Sequence, residues 1–147
     1  MSQSPEPIVV VETYNAPVSA VWQAITDKDQ MRRWYFEQMI DFRPDVGFET
    51  EFTVSFDGHY YVHQWKVTSV VPGRLIAYDW RYKNYPGRGL VTWELSEAPG
   101  GTRLHFTCEG IETFPQDNPA FTRESCQAGW DYLLRKSLKG YLEQRNG

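Results

Sequence analysis

Apolar residues near the C-terminus recur at the spacing of a long amphipathic helix. Starting at Trp130, positions i, i+3, i+4, i+7, i+8, i+11 and i+12 form one stripe, occupied by Trp130, Leu133, Leu134, Ser137, Leu138, Tyr141 and Leu142. Toward the N-terminus, Arg123 and Cys126 continue this stripe with polar or smaller groups. Asn118 suits the N-cap and Pro119 the first turn. The pattern predicts a helix over about 119–146 that packs on a sheet and leaves space beside its mixed N-terminal half.

The pattern upstream changes from strand to helix and back to strand. Ile8–Tyr14 is rich in β-branched residues and predicts a first strand, after a disordered tail over residues 1–7. Two short helices are predicted over about 18–25 and 27–34. From 37 to 110 apolar and polar residues alternate, which predicts a curved antiparallel sheet of about six to seven strands in total. We therefore predict an α+β architecture in which this sheet wraps around the long C-terminal helix.

The clearest hairpin is predicted around Asp57-Gly58, a pair typical of a two-residue type I′ turn. Folding the chain about this turn places Phe52 opposite His63 and Val54 opposite Tyr61 on one face of the sheet. Alternation on the later strands continues this face. The concave face is predicted to carry Phe52, Val54, Tyr61, His63, Trp65, Tyr78, Trp80, Trp93 and Phe106, closed by Cys126 and Trp130 from the helix. Large sheet residues facing small helix residues predict a cavity of roughly 300–1,000 Å³, the usual range for ligand pockets.

Alternate connections of an up-and-down sheet lie at the same end, so the first hairpin turn shares its end with the loops 82–89 and 110–118. We predict that this end is the mouth of the cavity, where it carries Tyr82, Tyr85, Phe114 and Phe121. Arg123 is predicted on the inward stripe near this mouth. There it would contact an anionic head group of a ligand, or pair with Glu109 or Glu112.

Size and composition narrow the class of protein. The 147 residues suit one domain, which we place at 8–147, and 16% of them are aromatic, which suits either the walls of a cavity or a bulky core. The formal net charge is −4 and no run of Lys or Arg exceeds two residues, which disfavours nucleic-acid binding. No apolar stretch approaches the ~20 residues of a membrane span. Because no secretory signal precedes the two cysteines, we expect a reducing cytoplasm.

His63 is the most notable polar residue predicted on the concave face. A neutral imidazole there would hydrogen-bond a ligand or act as a general base; the alternative is a core histidine bonded to its neighbours Tyr61 or Tyr78. Cys108 and Cys126 are expected to be buried, unreactive thiols because no histidine base is predicted beside them. The sequence has no metal-ligand cluster, phosphate-binding loop or catalytic motif, so we expect no metal, no cofactor and no defined catalytic residue.

Several stretches resemble one known family, in family order and over nearly the whole chain. They are Ala16–Asp27, Phe42–Phe48, Pro72–Leu75, Val91–Leu95, Gly100–Leu104, and Gly129-Trp130 with the leucines that follow. The sequence resembles the START-like, birch-pollen-allergen-type superfamily (SRPBCC), and within it the bacterial relatives of the C-terminal domain of the activator of Hsp-90 ATPase. This resemblance implies a helix-grip fold with a deep cavity for lipids, sterols, polyketides or other apolar molecules. It implies no fixed catalytic triad.

We therefore expect a protein that binds a small lipid-like or aromatic molecule. One alternative is an enzyme of the cyclase or dehydratase kind, in which His63 with Tyr61, Tyr78 or Tyr82 supplies acid–base groups. A module that interacts with a chaperone is another alternative. In the eukaryotic activator a separate N-terminal domain engages the chaperone. Because the first strand begins by about Ile8, the sequence leaves no room for that domain, and we expect the isolated chain not to stimulate a chaperone ATPase.

Overall fold

The computed structural model describes residues 6–56 and 58–146. Its strands and helices in chain order are β1 (Ile8–Tyr14), α1 (Val18–Thr26), α2 (Lys28–Trp34), β2 (Glu49–Phe56), β3 (His59–Val71), β4 (Leu75–Tyr82), β5 (Gly89–Ala98), β6 (Gly101–Glu109), α3 (Arg123–Asp131) and α4 (Leu138–Asn146). A π-helical segment, Tyr132–Ser137, joins α3 to α4, and two 3₁₀ turns, Ile111–Thr113 and Pro119–Phe121, precede α3. This order confirms the predicted α+β fold with two short helices after the first strand.

The described residues form one antiparallel sheet of six strands in the order β1-β6-β5-β4-β3-β2. The predicted hairpin register is confirmed, because Phe52 pairs with His63 and Val54 pairs with Tyr61. Asp57 of the predicted turn lies outside the described residues, whereas Gly58 has the positive φ, +79°, that a type I′ turn requires. The register of β3 against β4 shifts between residues 67 and 69, and such a bulge bends and twists a strand.

The C-terminal helix begins later than predicted. Thr122 has extended backbone angles, φ −68° and ψ 153°, so the helix does not continue back through it to residue 119. Its side chain accepts a hydrogen bond from the Ser125 amide and caps α3. Asn118, which we predicted as this cap, accepts from the Ala120 amide and caps the second 3₁₀ turn instead. The segment before α3 is therefore free to fold over the end of the sheet.

Ion pairs and buried side chains join the helix to the sheet. Leu134, Leu138 and Leu142 are buried, as their helical spacing predicts. On β1, Glu12 accepts hydrogen bonds of 2.8 Å from both Arg135 and Lys139. Burial opposes ionisation of Glu12, but these two cations hold the pKa of its carboxyl below the usual value. These contacts fix α4 and the π-helical segment against the first strand.

No helix in the described ranges combines the length and the apolar character needed to cross a membrane.

Candidate functional site

An apolar pocket lies between strands β2–β4 and the N-terminal half of the C-terminal helix. It encloses about 300 Å³, at the lower end of the usual range for ligand pockets. The residues that line it are Phe36, Val54, Tyr61, His63, Trp80, Tyr82, Gly89, Cys108, Ile111, Phe114, Ala120, Phe121, Ser125, Cys126, Gly129, Trp130 and Leu133. A larger depression of about 780 Å³ beside Arg32 and Gln144 has a mostly polar wall. The apolar pocket is therefore the site with the composition of a small-molecule pocket.

The structure brings together about half of the residues that we predicted as cavity walls. Those that line the pocket are Val54, Tyr61, His63, Trp80, Tyr82, Cys126 and Trp130. The other sheet residues of the prediction lie in the solid core beneath the pocket, and they are Phe52, Trp65, Tyr78, Trp93 and Phe106. The open space is thus shorter than the concave face of the sheet.

Two aromatic residues that follow α2 fill the lower part of the concave face. The Tyr35 ring lies 5.5 Å from Trp65 and 5.7 Å from Trp93, and its hydroxyl is 3.0 Å from the Tyr78 hydroxyl. Phe36 packs against this cluster and forms the floor of the pocket. The sequence pattern did not predict that Tyr35 and Phe36 fill this space, because the helical period of α2 ends at Trp34 and the next residues have no periodicity.

Arg123 does not lie on the inward stripe, and that prediction is wrong. Its side chain is exposed, and the guanidinium donates hydrogen bonds to the backbone carbonyls of Glu6 and Pro7. The later helix start explains the difference, since Arg123 is the first residue of α3 and the chain before it turns at Thr122. Glu6 and Pro7 belong to the segment that we predicted as a disordered tail, of which residues 1–5 lie outside the described residues.

The aromatic residues predicted at the mouth form one cluster. Phe121 lies 4.9 Å from Tyr82, 5.1 Å from Tyr85 and 5.6 Å from Phe114, measured between ring centroids. Tyr61 joins from β3, 5.5 Å from Phe121, and its hydroxyl accepts a hydrogen bond from the Asn118 side chain at 3.3 Å. These loops therefore lie together at the end of the sheet that strand parity predicts.

Polar contacts hold the two mouth loops together. The Arg88 guanidinium pairs with the buried Asp79 carboxylate at 2.8 Å. The Arg88 amide donates to the Thr113 hydroxyl at 2.8 Å, which joins the loop 83–88 to the segment 110–122. Gly87 lies so close to this segment, with φ +112°, that an added Cβ would come within 2.7 Å of the Thr113 carbonyl oxygen. The backbone of the mouth thus depends on close contact at this glycine.

His63 is an almost fully buried polar residue of the pocket wall, with 5% of its surface exposed. Its ring stacks on Phe52 at 5.0 Å, and the edges of Trp80 and Tyr82 contact it at 5.3 and 4.8 Å. Nδ1 lies 3.2 Å from the Tyr61 carbonyl oxygen. Burial lowers the pKa of His63 to about 4, so the imidazole is neutral near pH 7. This hydrogen bond to the backbone of Tyr61 agrees with the interpretation of His63 as a core histidine bonded to a neighbouring tyrosine.

Both cysteines line the pocket as neutral thiols. Burial raises the pKa of Cys108 to about 12 and that of Cys126 to about 11. A thiol with a raised pKa is a poor nucleophile. Burial also raises the pKa of the Tyr82 hydroxyl. Among the described lining residues none is an acid, a lysine or an arginine, and no group of three His, Cys, Asp or Glu in the described chain has metal-site geometry.

A curved antiparallel sheet, a long C-terminal helix packed on it and an apolar pocket between the two define a protein of the helix-grip class. The family of Activator of Hsp90 ATPase homolog 1-like proteins matches residues 15–143, and the chain belongs to this family. The resemblance inferred from the sequence is thereby confirmed. No curated protein matches the sequence.

Solved structures of bacterial proteins share the fold over nearly the whole chain. Protein CV1439 from Chromobacterium violaceum is 23% identical with a TM-score of 0.78, covering 95% of this chain and 98% of its own. MLL2253 from Mesorhizobium loti is 25% identical with a TM-score of 0.74, covering 95% and 98%. The Aha1 dimer from Colwellia psychrerythraea is 21% identical with a TM-score of 0.71, covering 97% and 100%. At identities of 21–25%, this likeness shows a shared fold and nothing about a shared ligand or activity.

Proposed function

We propose that the protein binds a small aromatic or lipid-like molecule in the pocket between β2–β4 and α3. The observation that carries this proposal is the wall itself, which is apolar and aromatic except for one neutral histidine, a few hydroxyls and two thiols. Such walls with a small number of polar groups are typical of small-molecule sites. A cytoplasmic location, where both thiols stay reduced, is part of the proposal.

The small residues on α3 support the same function. Cys126 and Gly129 face the aromatic side chains of the sheet, and the space beside them is unfilled. A Cβ added at Gly129 would meet no atom within 4 Å. A fold whose sole requirement was stability would gain by filling this space, because each unfilled apolar volume loses packing contacts.

Binding is testable with a neutral fluorescent probe, N-phenyl-1-naphthylamine. Trp80 and Trp130 line the pocket, so the probe is expected to quench tryptophan fluorescence at saturable stoichiometry and to raise the melting temperature by mass action. Native mass spectrometry of protein purified from its own host would identify the natural ligand. A panel of sterols, fatty acids and aromatic polyketides that changes neither fluorescence nor melting would exclude the proposal.

Acid–base catalysis on an apolar substrate is the second candidate. It is favoured by the position of the His63 ring, 4.8 Å from the Tyr82 ring on the pocket wall. The low pKa of His63 makes it a weak base, which favours binding over catalysis. Turnover of a bound polyketide that is lost in His63→Phe, with probe binding retained, would establish the enzyme. A chaperone partner stays a prediction from the family description.

A further inference from the structure

The hydrogen bonds that the pocket wall already makes limit which ligands the pocket can bind. This inference rests on the function proposed above. Ser125 donates its hydroxyl proton to the Pro119 carbonyl at 2.7 Å, so this proton is already used. The Tyr61 hydroxyl accepts from Asn118. No described side chain of the lining carries a full charge near pH 7. A bound ion would therefore have no counter-charge inside the pocket.

The orientation of His63 fixes which of its nitrogens is an acceptor. A carbonyl oxygen accepts hydrogen bonds and never donates, so the contact with the Tyr61 carbonyl requires the proton on Nδ1. In a neutral imidazole the other nitrogen, Nε2, is then an acceptor with no proton. Within the ranges that the structure describes, no protein group bonds to Nε2, and this atom is not sealed from the pocket in the way that the indole nitrogens of Trp65 and Trp93 are sealed.

The rings around His63 hold this acceptor in one direction. Phe52 stacks on one face with an interplanar angle of 14°, while Phe36, Trp80 and Tyr82 contact the ring at 57–74°. The imidazole cannot rotate without displacing these neighbours and breaking the bond to Tyr61. A ligand donor must therefore approach along a fixed line.

We propose that the pocket selects neutral aromatic or alicyclic ligands that carry a hydroxyl or N–H donor, and that Nε2 of His63 accepts the hydrogen bond from this donor. A pure hydrocarbon or an ether leaves this buried acceptor without a partner, which weakens binding. A carboxylate places a charge in a pocket with no cation and directs a second acceptor at Nε2. His63 is thus a specificity-determining residue.

Three probes of similar size test this selection in competition with N-phenyl-1-naphthylamine at neutral pH. We expect 2-naphthol to bind roughly ten-fold more tightly than 2-methoxynaphthalene and 2-naphthoate to bind weakest of the three. His63→Phe keeps an aromatic ring but removes the acceptor, so its ratio of naphthol to ether affinity should fall to about one. The matched control is His105→Phe, on the exposed side of β6, which should keep the wild-type ratio.

The outcomes separate this inference from the proposed function. If none of the naphthalene probes binds, the proposed function fails and the inference falls with it. Equal affinities of naphthol and ether in the wild type, or a ratio that persists in His63→Phe, would overturn the inference alone. If His63→Phe does not fold, nitrogen NMR of the wild type decides: the Nε2 resonance should shift with 2-naphthol and stay with the ether. An unshifted Nε2 resonance at saturation with 2-naphthol would overturn the assignment.

Discussion

The Tyr14 hydroxyl on β1 donates a hydrogen bond of 2.7 Å to the backbone carbonyl of Leu134, which lies 120 residues later in the π-helical segment. The Leu138 amide bonds to the Leu133 carbonyl, so the Leu134 carbonyl lacks the donor that an α-helix would supply. Both Tyr14 and Leu134 are fully buried. The strand therefore satisfies a backbone group that the irregular helix leaves without its usual partner, and it fixes the helix at this point.

Tyr14→Phe should destabilise the protein by about 1–3 kcal/mol, the cost of leaving a buried polar group without a partner. The substitution removes one oxygen and leaves the packing of the ring unchanged. Urea unfolding measures the effect. Tyr132→Phe is the matched control, because Tyr132 is in the same π-helical segment but 60% exposed, and it should leave the midpoint unchanged. Equal midpoints for the two variants would contradict the role of the Tyr14 hydroxyl.

Trp130→Ala should lower the free energy of unfolding by about 3–5 kcal/mol, the range for removing a buried Trp. Trp130 is 6% exposed and packs on Phe106 at 4.4 Å and on Trp80 at 5.5 Å. Denaturant unfolding followed by circular dichroism measures the loss. Tyr132→Ala, at the exposed helix face two residues later, should cost far less. A wild-type midpoint for Trp130→Ala would refute the packing of the helix on the sheet.

Burial of neutral His63 should make stability fall with acidification. Between its ordinary pKa, 6.5, and its folded value, about 4, the unfolded chain binds a proton that the folded chain excludes. Stability is therefore highest above about pH 6.5 and declines as the pH falls, by about 3 kcal/mol once pH 4 is reached. Urea unfolding at about pH 7, 6 and 5 measures the slope, which Glu12, with its lowered pKa, affects only at lower pH. His63→Phe should flatten it and His105→Phe should not. Parallel profiles for wild type and His63→Phe would contradict the burial of a neutral imidazole.

Gly87→Ala should destabilise the mouth more than Gly47→Ala. Both glycines have positive φ, +112° and +93°, so each substitution incurs a backbone strain of roughly 1–2 kcal/mol. At Gly47 the new methyl group meets no atom within 4 Å, whereas at Gly87 it meets the Thr113 carbonyl at 2.7 Å. Hydrogen exchange of the segment 110–122 should accelerate in Gly87→Ala alone. Similar exchange and stability in the two variants would show that the two loops are not in close contact.

The sequence predicted the features that depend on period and register. Alternation through the hairpin placed Val54, Tyr61 and His63 on the concave face, and strand parity placed the aromatic mouth residues at one end. The position of Tyr35 and Phe36 could not be predicted. These two residues follow α2 but have no periodicity of their own, and they enter the core through tertiary packing. The π-helical segment was equally hidden, since Leu133, Leu134, Leu138 and Leu142 fit an uninterrupted α-helix.

The position of Arg123 was missed for a local reason. The sequence pattern predicts the cap at Asn118, because Pro119 suits a first helical turn, whereas α3 is capped by Thr122, four residues later. Asn118 caps the 3₁₀ turn Pro119–Phe121 instead. A helix that begins at residue 123 places Arg123 outside the pocket, and the first residues of α3 that line the pocket are Ser125, Cys126 and Gly129.

Ligand binding in the pocket is tested most directly by comparing Gly129→Phe with Gly140→Phe in calorimetric titrations with N-phenyl-1-naphthylamine. Both glycines lie in helices, and at both an added Cβ meets no atom within 4 Å, so both substitutions should be tolerated and should improve helix propensity. Gly129 lines the apolar pocket, whereas Gly140 lines the polar depression beside α2. We predict that Gly129→Phe abolishes probe binding at an unchanged or raised melting temperature, while Gly140→Phe binds like the wild type. Undiminished binding by folded Gly129→Phe would contradict the assignment of this pocket as the ligand site.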